Sequence, residues 1–220
     1  MKKALIIGAT GLIGTELLSL LLVSKQYSEV KTITRKPLTH ENPKHKNTVI
    51  SDFDHLSDYG SEFAADELFI CLGTTMKQAK SKEAFYKVDF EYAVEAARLA
   101  KQQGVKKVLA VSAIGADCDS MFYYNRVKGQ MEDALRNMGL PSVILFRPSL
   151  LLGDREDLRY GEKMGEWIAK SFGFLFIGKL KIMKPIHAKT VAKAMVKEAQ
   201  NKDPLVITFQ SDEIHEIGYY

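Results

Sequence analysis

Three polar residues near the middle of the chain have the types needed to protonate a carbonyl oxygen. Tyr124 and Lys128 are four residues apart, so on a helix they lie on the same face. A free phenol titrates at about pH 10 and a neighbouring ammonium favours its ionised form, so we expect Lys128 to lower the pKa of Tyr124. Ser112, at the end of a predicted strand, offers a hydroxyl to the same oxygen. The set predicts a proton donor, a charge that tunes it and an oxyanion partner.

The Tyr-x-x-x-Lys spacing is common, and a structural interpretation of it stays open. In that interpretation Tyr124 packs in the core and Lys128 lies on the surface. Tyr123 is a second phenol, but it lies five residues from Lys128, so we interpret it as a packing residue. The catalytic interpretation gains support from a glycine-rich turn earlier in the chain.

That turn reads Gly8-Ala9-Thr10-Gly11-Leu12-Ile13-Gly14. It follows a short apolar run at 4–7, typical of a buried strand, and it precedes a predicted helix over 12–25. The first glycine permits a tight turn, the second lets backbone approach a pyrophosphate, and the third lets the helix pack closely. Backbone N–H groups at the helix N-terminus then meet the phosphate charge. We therefore predict dinucleotide binding by Gly8, Thr10, Gly11, Leu12, Ile13 and Gly14, with Tyr124 and Lys128 at the nicotinamide ribose.

The end of the second predicted strand distinguishes the two nicotinamide dinucleotides. An NAD site usually places a carboxylate there to accept from the ribose hydroxyls. Here the strand ends in Thr34-Arg35-Lys36, without an acid. A guanidinium holds a 2′-phosphate through paired N–H groups, so Arg35 and Lys36 predict NADP(H). The alternative, that both are part of a solvated loop, stays open.

Strand-like and helix-like segments alternate over most of the chain. Predicted strands cover 4–7, 30–34, 48–50, 68–71, 107–111 and 143–146, and predicted helices cover 12–25, 83–103 and 123–138. This alternation predicts an α/β fold with a doubly wound parallel sheet, the Rossmann fold. We expect a single NAD(P)-binding domain over 1–220.

The pattern loosens after Pro148. Residues 149–190 are expected to form a small C-terminal subdomain on the substrate side of the sheet. Its aromatic residues predict either core packing or an apolar surface that contacts substrate, a protein partner, a second copy of the chain or a membrane surface. They are Trp167, Phe172, Phe174 and Phe176.

Composition narrows the class of protein. The 220 residues are 46% apolar and 26% charged, with a net charge of +4 and scattered basic residues, so we expect no nucleic-acid binding. Cys71 and Cys118 are far apart, which predicts free thiols in a reducing compartment. No apolar run is long enough to span a membrane, and glycines interrupt the one that imitates a signal peptide, so we expect a cytoplasmic protein. The five histidines lack metal-ligand spacing, so we predict no metal site.

Several longer strings resemble the short-chain dehydrogenase/reductase superfamily, in its atypical NAD(P)-binding branch. Within that branch the chain is similar to the Tat-interacting-protein oxidoreductase family over nearly its whole length. The glycine turn and Tyr124 to Lys128 belong to the whole superfamily. The more specific strings are Cys71-Leu72-Gly73-Thr74-Thr75, Val88-Asp89, Ser112-Ala113-Ile114-Gly115-Ala116-Asp117, Phe146-Arg147-Pro148 and Ile214-His215-Glu216-Ile217-Gly218.

The resemblance implies further binding residues. Leu72, Gly73 and Thr74 are expected along the cofactor, and Asp52 and Phe53 beside the adenine. The expected nicotinamide neighbours are Arg147, Pro148, Ser149 and Leu150. The resemblance also assigns the catalytic serine, tyrosine and lysine to Ser112, Tyr124 and Lys128, whereas the catalytic asparagine of other relatives has no clear counterpart in this chain.

These features together predict an NADPH-dependent reductase of a small carbonyl or quinone-like molecule. The alternative is a non-catalytic redox sensor that binds NADPH and reports its occupancy to a protein partner. Both use the same glycine turn, but the complete Ser112, Tyr124 and Lys128 set favours the enzyme.

Overall fold

The computed structural model describes residues 1–153 and 182–219. Its strands and helices follow one another along the chain as β1 (Lys2–Ile7), α1 (Leu12–Val23), β2 (Tyr27–Thr34), β3 (His45–Val49), a 3-10 segment (Phe53–Phe63), β4 (Glu67–Ile70), α2 (Met76–Ala79), α3 (Lys82–Tyr86), a π-helical segment (Lys87–Glu91), α4 (Tyr92–Gln102), β5 (Lys107–Val111), α5 (Tyr123–Arg136), β6 (Ser142–Arg147), β7 (Leu151–Leu152), β8 (Ile186–His187), α6 (Ala188–Glu198), β9 (Val206–Gln210) and α7 (Ser211–Tyr219).

Seven of the strands form one parallel sheet in the order β3-β2-β1-β4-β5-β6-β9. The chain runs outward from β1 to β3 and then crosses back to β4, so the winding reverses between β1 and β4. Ligands bind doubly wound sheets in the crevice at the carboxyl ends of the strands at this reversal. The predicted doubly wound sheet is confirmed, although β9 adds a strand that the sequence analysis did not predict.

Apolar side chains leave the sheet on both faces and build two cores. In β1, Ala4 and Ile6 point to the layer that contains α1 and α6, whereas Leu5 and Ile7 point to the layer that contains α4. All four are fully buried, as expected for a central strand whose successive side chains alternate between faces. The sheet therefore lies between two helical layers and presents its strand ends to the site.

The long helix predicted over 83–103 is interrupted. Lys82–Tyr86 and Tyr92–Gln102 are α-helical, but Lys87–Glu91 between them is a π-helical turn. Such turns are rare and occur frequently at functional sites. In this chain the turn carries Asp89, whose side chain is fully buried.

A largely buried polar cluster lies at the end of the sheet where the parallel strands begin, and we call it the amino-edge cluster (Lys2, Tyr27 and Glu67). Tyr27 Oη donates to Glu67 Oε2 at 2.6 Å, and Lys2 Nζ lies 2.6 Å from Glu67 Oε1. Lys2 also donates to the carbonyl of Ala199, which follows the end of α6. Every charge in this cluster therefore has a protein partner.

The region after Pro148 is only partly described. Leu151–Leu152 and Ile186–His187 pair as a short parallel ladder, and α6 and α7 pack against the sheet. The predicted subdomain at 149–190 falls largely on residues outside the described ranges, as do all four aromatic residues of the predicted apolar surface. Among the described residues, no helix is both long enough and apolar enough to cross a membrane.

Candidate functional site

The glycine turn is locked by backbone contacts. Gly8 has a φ of +88°, and a Cβ at this position would lie 2.5 Å from the carbonyl of Cys71 at the end of β4. A Cβ on Gly14 would lie 2.1 Å from the Gly8 carbonyl oxygen. Any side chain at either position would therefore move α1 or β4 away from the turn.

The N-terminus of α1 has no capping side chain among the residues that the structure describes. Gly11 is the N-cap residue, and the first turn of the helix has no acidic residue. The partial positive charge of a helix N-terminus suits a phosphate. Thr10 and Gly11 line a cleft in front of it, whereas Ile13 is buried in the core behind it.

This cofactor cleft has a volume of about 460 Å³ and lies at the predicted sheet edge. Eight of the residues predicted to bind cofactor line it: Gly8, Thr10, Gly11, Arg35, Phe53, Leu72, Gly73 and Thr74. The sequence analysis did not assign nine further residues of its lining: Ala9, Ile33, Thr34, Cys71, Gln78, Ala79, Ala84, Val88 and Tyr92. The helical spacing of Ala84, Val88 and Tyr92 is the signal that would have identified three of them.

Arg35 lies at the mouth of the cleft on a turn fixed from the neighbouring strand. Asn47 of β3 donates to Thr34 Oγ1 at 2.8 Å, and its Oδ1 accepts from Leu38 N at 2.9 Å. Thr34 in turn donates to the Lys36 carbonyl at 2.7 Å. Among the described residues, Lys36 lies outside the cleft lining, and that lining includes no aspartate or glutamate.

A pair of aromatic rings lines the cleft where the adenine is predicted to bind. The rings of Phe53 and Tyr92 meet edge to face, with centroids 5.6 Å apart. Tyr92 donates its hydroxyl to Asp54 Oδ1 at 2.7 Å, which fixes the ring. Asp52 accepts from the Asp54 N–H and caps the 3-10 segment instead of lining the cleft.

A buried ion pair lies directly beneath the cleft floor. Lys128 Nζ is 2.7 Å from Asp89 Oδ1, and the two side chains are 4% and 0% exposed. Asp89 Oδ2 accepts from the backbone N–H of Thr74 at 2.9 Å. A Cβ on Gly73 would lie 3.5 Å from Asp89 Oδ1 and 3.8 Å from Lys128 Nζ. The structure thus brings Lys128 to the cleft and adds Asp89, a residue to which the sequence analysis gave no role.

Tyr124 lies at the start of α5 and is partly open to solvent, with 37% of its surface exposed. Its ring packs on Phe85 at a centroid distance of 5.4 Å. Among the described residues its hydroxyl has no protein partner, whereas Tyr123 Oη donates to the Lys82 carbonyl at 2.9 Å and so has a packing role. Tyr124 is the phenol that remains available to a ligand.

The expected lowering of the Tyr124 pKa is wrong in its net direction. Burial raises the pKa of Tyr124, Lys128 lowers it and Asp89 raises it again, so the pKa ends above its ordinary value. For Lys128, burial is the largest single effect and lowers the pKa, but the contact with Asp89 and the charges of Tyr124 and Glu132 together outweigh burial and leave the pKa raised. The main reason for the error is burial of the phenol, and the charge of Asp89 adds to it by offsetting part of the effect of Lys128; the sequence pattern shows neither.

Ser112 follows β5 at the carboxyl edge of the sheet and is 4% exposed. Its N–H donates to the Phe146 carbonyl at 2.7 Å, while its hydroxyl has no hydrogen-bond partner in the described part of the chain. Buried hydroxyls are normally paired, so an unpaired one at a strand end fits a ligand oxygen.

The residues expected near the nicotinamide from 147 onward do not line the cleft. Both nitrogens at one edge of the Arg147 guanidinium, Nε and Nη2, donate to the buried Glu132 carboxylate at 2.8 and 2.6 Å. The Pro148 carbonyl accepts from Ile114 N at 3.0 Å, and Leu150 is 57% exposed. Arg147 therefore joins β6 to α5, and a cofactor contact by these residues stays a prediction.

Close packing sets the position of α5 relative to the strand that carries Ser112. A Cβ on Gly129 would lie 2.2 Å from the backbone of Asp117 and Cys118, and Asp117 N donates to the Asn125 carbonyl. Because Gly129 follows Lys128 directly, this contact also fixes the lysine. In the same loop, ligand atoms of Asp117, Cys118 and Asp119 lie within 4.8 Å of one another, and both acids are exposed.

Comparison with known proteins identifies the family. The sequence profile described as NAD(P)H-binding matches residues 8–202, so the chain belongs to this family. Protein HTATIP2 of Rattus norvegicus is 36% identical over 174 residues, which cover 78% of this chain and 70% of that protein. The mitochondrial protein FMP52 of Candida albicans is 30% identical over 221 residues, which cover 94% of each chain. These relatives confirm the resemblance to the atypical short-chain dehydrogenase/reductases and its Tat-interacting-protein family.

Solved structures of low sequence identity share the fold of this chain. The Bordetella bronchiseptica enzyme WbmH in complex with NAD+ matches with a TM-score of 0.69 at 16% identity, covering 100% of this chain and 79% of that one. This likeness confirms the Rossmann fold. One expectation is wrong: the cytoplasmic location is contradicted by the fungal relatives, several of which are named mitochondrial.

Proposed function

We propose that this protein is an NADPH-dependent reductase of a small carbonyl or quinone-like substrate. The observation that carries the proposal is the Lys128–Asp89 pair beneath Gly73 and Thr74, because it connects the cofactor cleft to the helix that bears Tyr124. A dinucleotide in that cleft would extend along the strand ends towards Ser112 and Tyr124.

The residues present fit a phosphorylated dinucleotide. The glycine turn leaves no room for side chains at Gly8 and Gly14, and the uncapped N-terminus of α1 suits the pyrophosphate. Arg35 supplies a guanidinium at the strand end where a carboxylate would favour NAD, and in the described part of the chain no carboxylate lines the cleft to repel a 2′-phosphate. These features support NADP(H) as the cofactor.

The chain's own groups would supply the proton for reduction. When bound, NADPH supplies the hydride, which together with one proton converts a carbonyl to an alcohol and leaves NADP+. Tyr124 would donate its phenolic proton to the carbonyl oxygen, and the Ser112 hydroxyl would donate a hydrogen bond to the same oxygen. Lys128 would hold the cofactor ribose and stabilise the phenolate that forms when Tyr124 gives up its proton.

A substitution at Tyr124 tests the catalytic proposal. Tyr124→Phe removes the proton donor but keeps the ring on Phe85, so we expect kcat to fall by about 10²- to 10⁴-fold while NADPH still binds. NADPH oxidation would be followed with a panel of aldehydes, ketones and quinones, and binding by the change in NADPH fluorescence.

Tyr123→Phe is the matched control, because it removes the neighbouring phenol and its hydrogen bond to the Lys82 carbonyl. Its kcat should stay within about threefold of the wild-type value. Equal turnover by wild type and Tyr124→Phe would remove Tyr124 from the mechanism.

A second substitution tests the cofactor preference. Arg35→Ala should weaken NADPH binding by about 10- to 100-fold, the value of a charge-assisted contact, and leave NADH binding nearly unchanged. Lys36→Ala is the control, because Lys36 lies outside the cleft lining. Tighter binding of NADH than of NADPH by the wild-type protein would refute the assignment to Arg35.

One observation favours the non-catalytic sensor as a second candidate. Met121 and Phe122, immediately before α5, are 94% and 74% exposed, and exposed apolar residues beside a ligand site are typical of partner surfaces. A sensor would bind NADPH but reduce no member of the substrate panel.

A further inference from the structure

The π-helical turn gives the candidate site a second charge. Asp89 is held on three sides: Lys128 lies 2.7 Å from Oδ1, the Thr74 N–H donates to Oδ2, and Gly73 covers the pair. The carboxylate has no exposure to solvent, so it is not a surface acid that meets Lys128 by chance. Burying two charges costs free energy unless they are paired, and this pair leaves little net charge at the floor of the cleft.

The groups around Tyr124 determine how strongly the charge of Lys128 acts on its phenol. On its own helix Tyr124 faces Lys128, with Glu132 one turn further along. Glu132 forms ion pairs with Arg136 and Arg147. The π-helical turn contributes Asp89, and α3 contributes the apolar ring of Phe85. Ser112, which follows β5, is uncharged. The phenol therefore lies beside an ammonium whose charge is partly offset by a carboxylate.

We infer that Asp89 is a positioning residue that offsets part of the charge of Lys128 and so favours the protonated form of Tyr124, the proton donor of a reduction. This inference rests on the proposed function and adds its direction. A free ammonium would favour the phenolate, which is the base required for alcohol oxidation. A partly offset ammonium leaves the phenol ready to protonate the strongly basic oxygen that forms when hydride reaches the carbonyl carbon.

The same contacts link this effect to the cofactor cleft. Thr74 lines the cleft, and its N–H is bound by the carboxylate that holds Lys128. Asp89→Asn removes the charge but keeps an oxygen that accepts from Thr74. We therefore expect NADPH affinity to change by less than about threefold, while the ionisation of Tyr124 changes strongly.

The test measures the ionisation of Tyr124 directly, in the protein without cofactor. Tyrosinate absorption is titrated with pH for each protein and for the same protein carrying Tyr124→Phe, and the difference gives the Tyr124 midpoint. Asp89→Asn should lower this midpoint by about one unit or more, because Lys128 then acts unopposed. An unchanged or raised midpoint would overturn the inference.

Two further variants keep the test decisive. Glu67→Gln removes the matching carboxylate of the amino-edge cluster and should leave the Tyr124 midpoint unchanged; a shift as large as that of Asp89→Asn would indicate general loosening and refute the specific role. The double variant Asp89→Asn/Lys128→Met removes both charges and remains informative if Asp89→Asn does not fold. Its midpoint should lie within about half a unit of wild type, and a drop of about one unit or more would contradict the charge offset.

Activity then separates this inference from the proposed function. In reduction of phenanthrenequinone by NADPH, Asp89→Asn should shift the pH profile of kcat towards acid by the same amount as the Tyr124 midpoint. If the wild-type protein reduces no member of the panel, the reductase proposal fails, while the titration still decides whether Asp89 controls the phenol.

Discussion

At each end of the parallel strands lies a cluster of a lysine, a tyrosine and a carboxylate. At the amino edge, Glu67 holds Lys2 and accepts a hydrogen bond from Tyr27. At the carboxyl edge, Asp89 holds Lys128, and Tyr124 stands beside the pair. In the first cluster the tyrosine is fully buried and its hydroxyl is bound, whereas in the second it is 37% exposed and its hydroxyl has no partner among the described residues.

The difference lies in what each cluster leaves unpaired. The amino-edge cluster satisfies all its groups within the protein, which is the arrangement expected where polar groups serve stability. Among the described residues, the carboxyl-edge cluster pairs its charges but leaves Ser112 Oγ and Asp89 Oδ1 without a hydrogen bond, and no protein group bonds to the Tyr124 hydroxyl. Residue types alone would assign both clusters the same chemistry. Their unpaired hydroxyls and their position relative to the cofactor cleft separate the candidate site from the structural cluster.

The largest expected difference between the edges is in stability. Glu67→Ala leaves the buried Tyr27 hydroxyl without its acceptor; Lys2 is partly exposed, so solvent screens the loss of its partner. We expect the free energy of unfolding to fall by about 2–3 kcal/mol, measured by urea denaturation. Tyr124→Phe is the counterpart at the carboxyl edge and should change it by less than about 0.5 kcal/mol. Equal losses of unfolding free energy in the two variants would contradict the distinction between the two clusters.

A smaller difference is expected in alkaline solution. Burial and the Glu67 carboxylate raise the pKa of Tyr27 in the folded protein. The stability from this proton is complete below the ordinary value of about 10 and is lost as the pH rises above it, because the unfolded chain releases the proton first. Tyr27→Phe should therefore make the loss of stability above this pH less steep. Tyr124→Phe should change the slope less, since Lys128 opposes the rise in the Tyr124 pKa. Denaturation at a series of pH values would show equal changes in slope if the two edges were equivalent.

Local patterns predicted the central strands and the glycine turn well. The apolar run at 4–7 and the spacing of Gly8, Gly11 and Gly14 each carry their physical reason within a few residues. The edge strands were harder. His45–Val49 begins with polar residues because Asn47 bonds to Thr32 and Thr34 across the strand pair, and Val206–Gln210 is a half-exposed edge strand. Neither has the apolar pattern of a buried strand, although the β-branched run in the second was a usable signal.

The candidate site shows a similar limit. Tyr124 and Lys128 were found from their helical spacing, because both lie on one helix. Asp89 lies 39 residues before Lys128 and meets it only through the packing of the π-helical turn on α5. Arg147 was expected near the nicotinamide, yet its guanidinium is bound by Glu132, a pairing that no local pattern contains. Long-range electrostatic partners are what the sequence could not supply.

The clamp between Asn47 and the turn that carries Arg35 has a consequence for protein engineering. Because Asn47 of β3 bonds to both Thr34 and Leu38, the backbone between these two residues is held in place independently of the side chain at position 35. On the proposed assignment of Arg35 to the 2′-phosphate, redesign towards the unphosphorylated cofactor requires the exchange of one side chain on a fixed support. A library that varied Asn47 together with Arg35 would dismantle that support while trying to change what it presents.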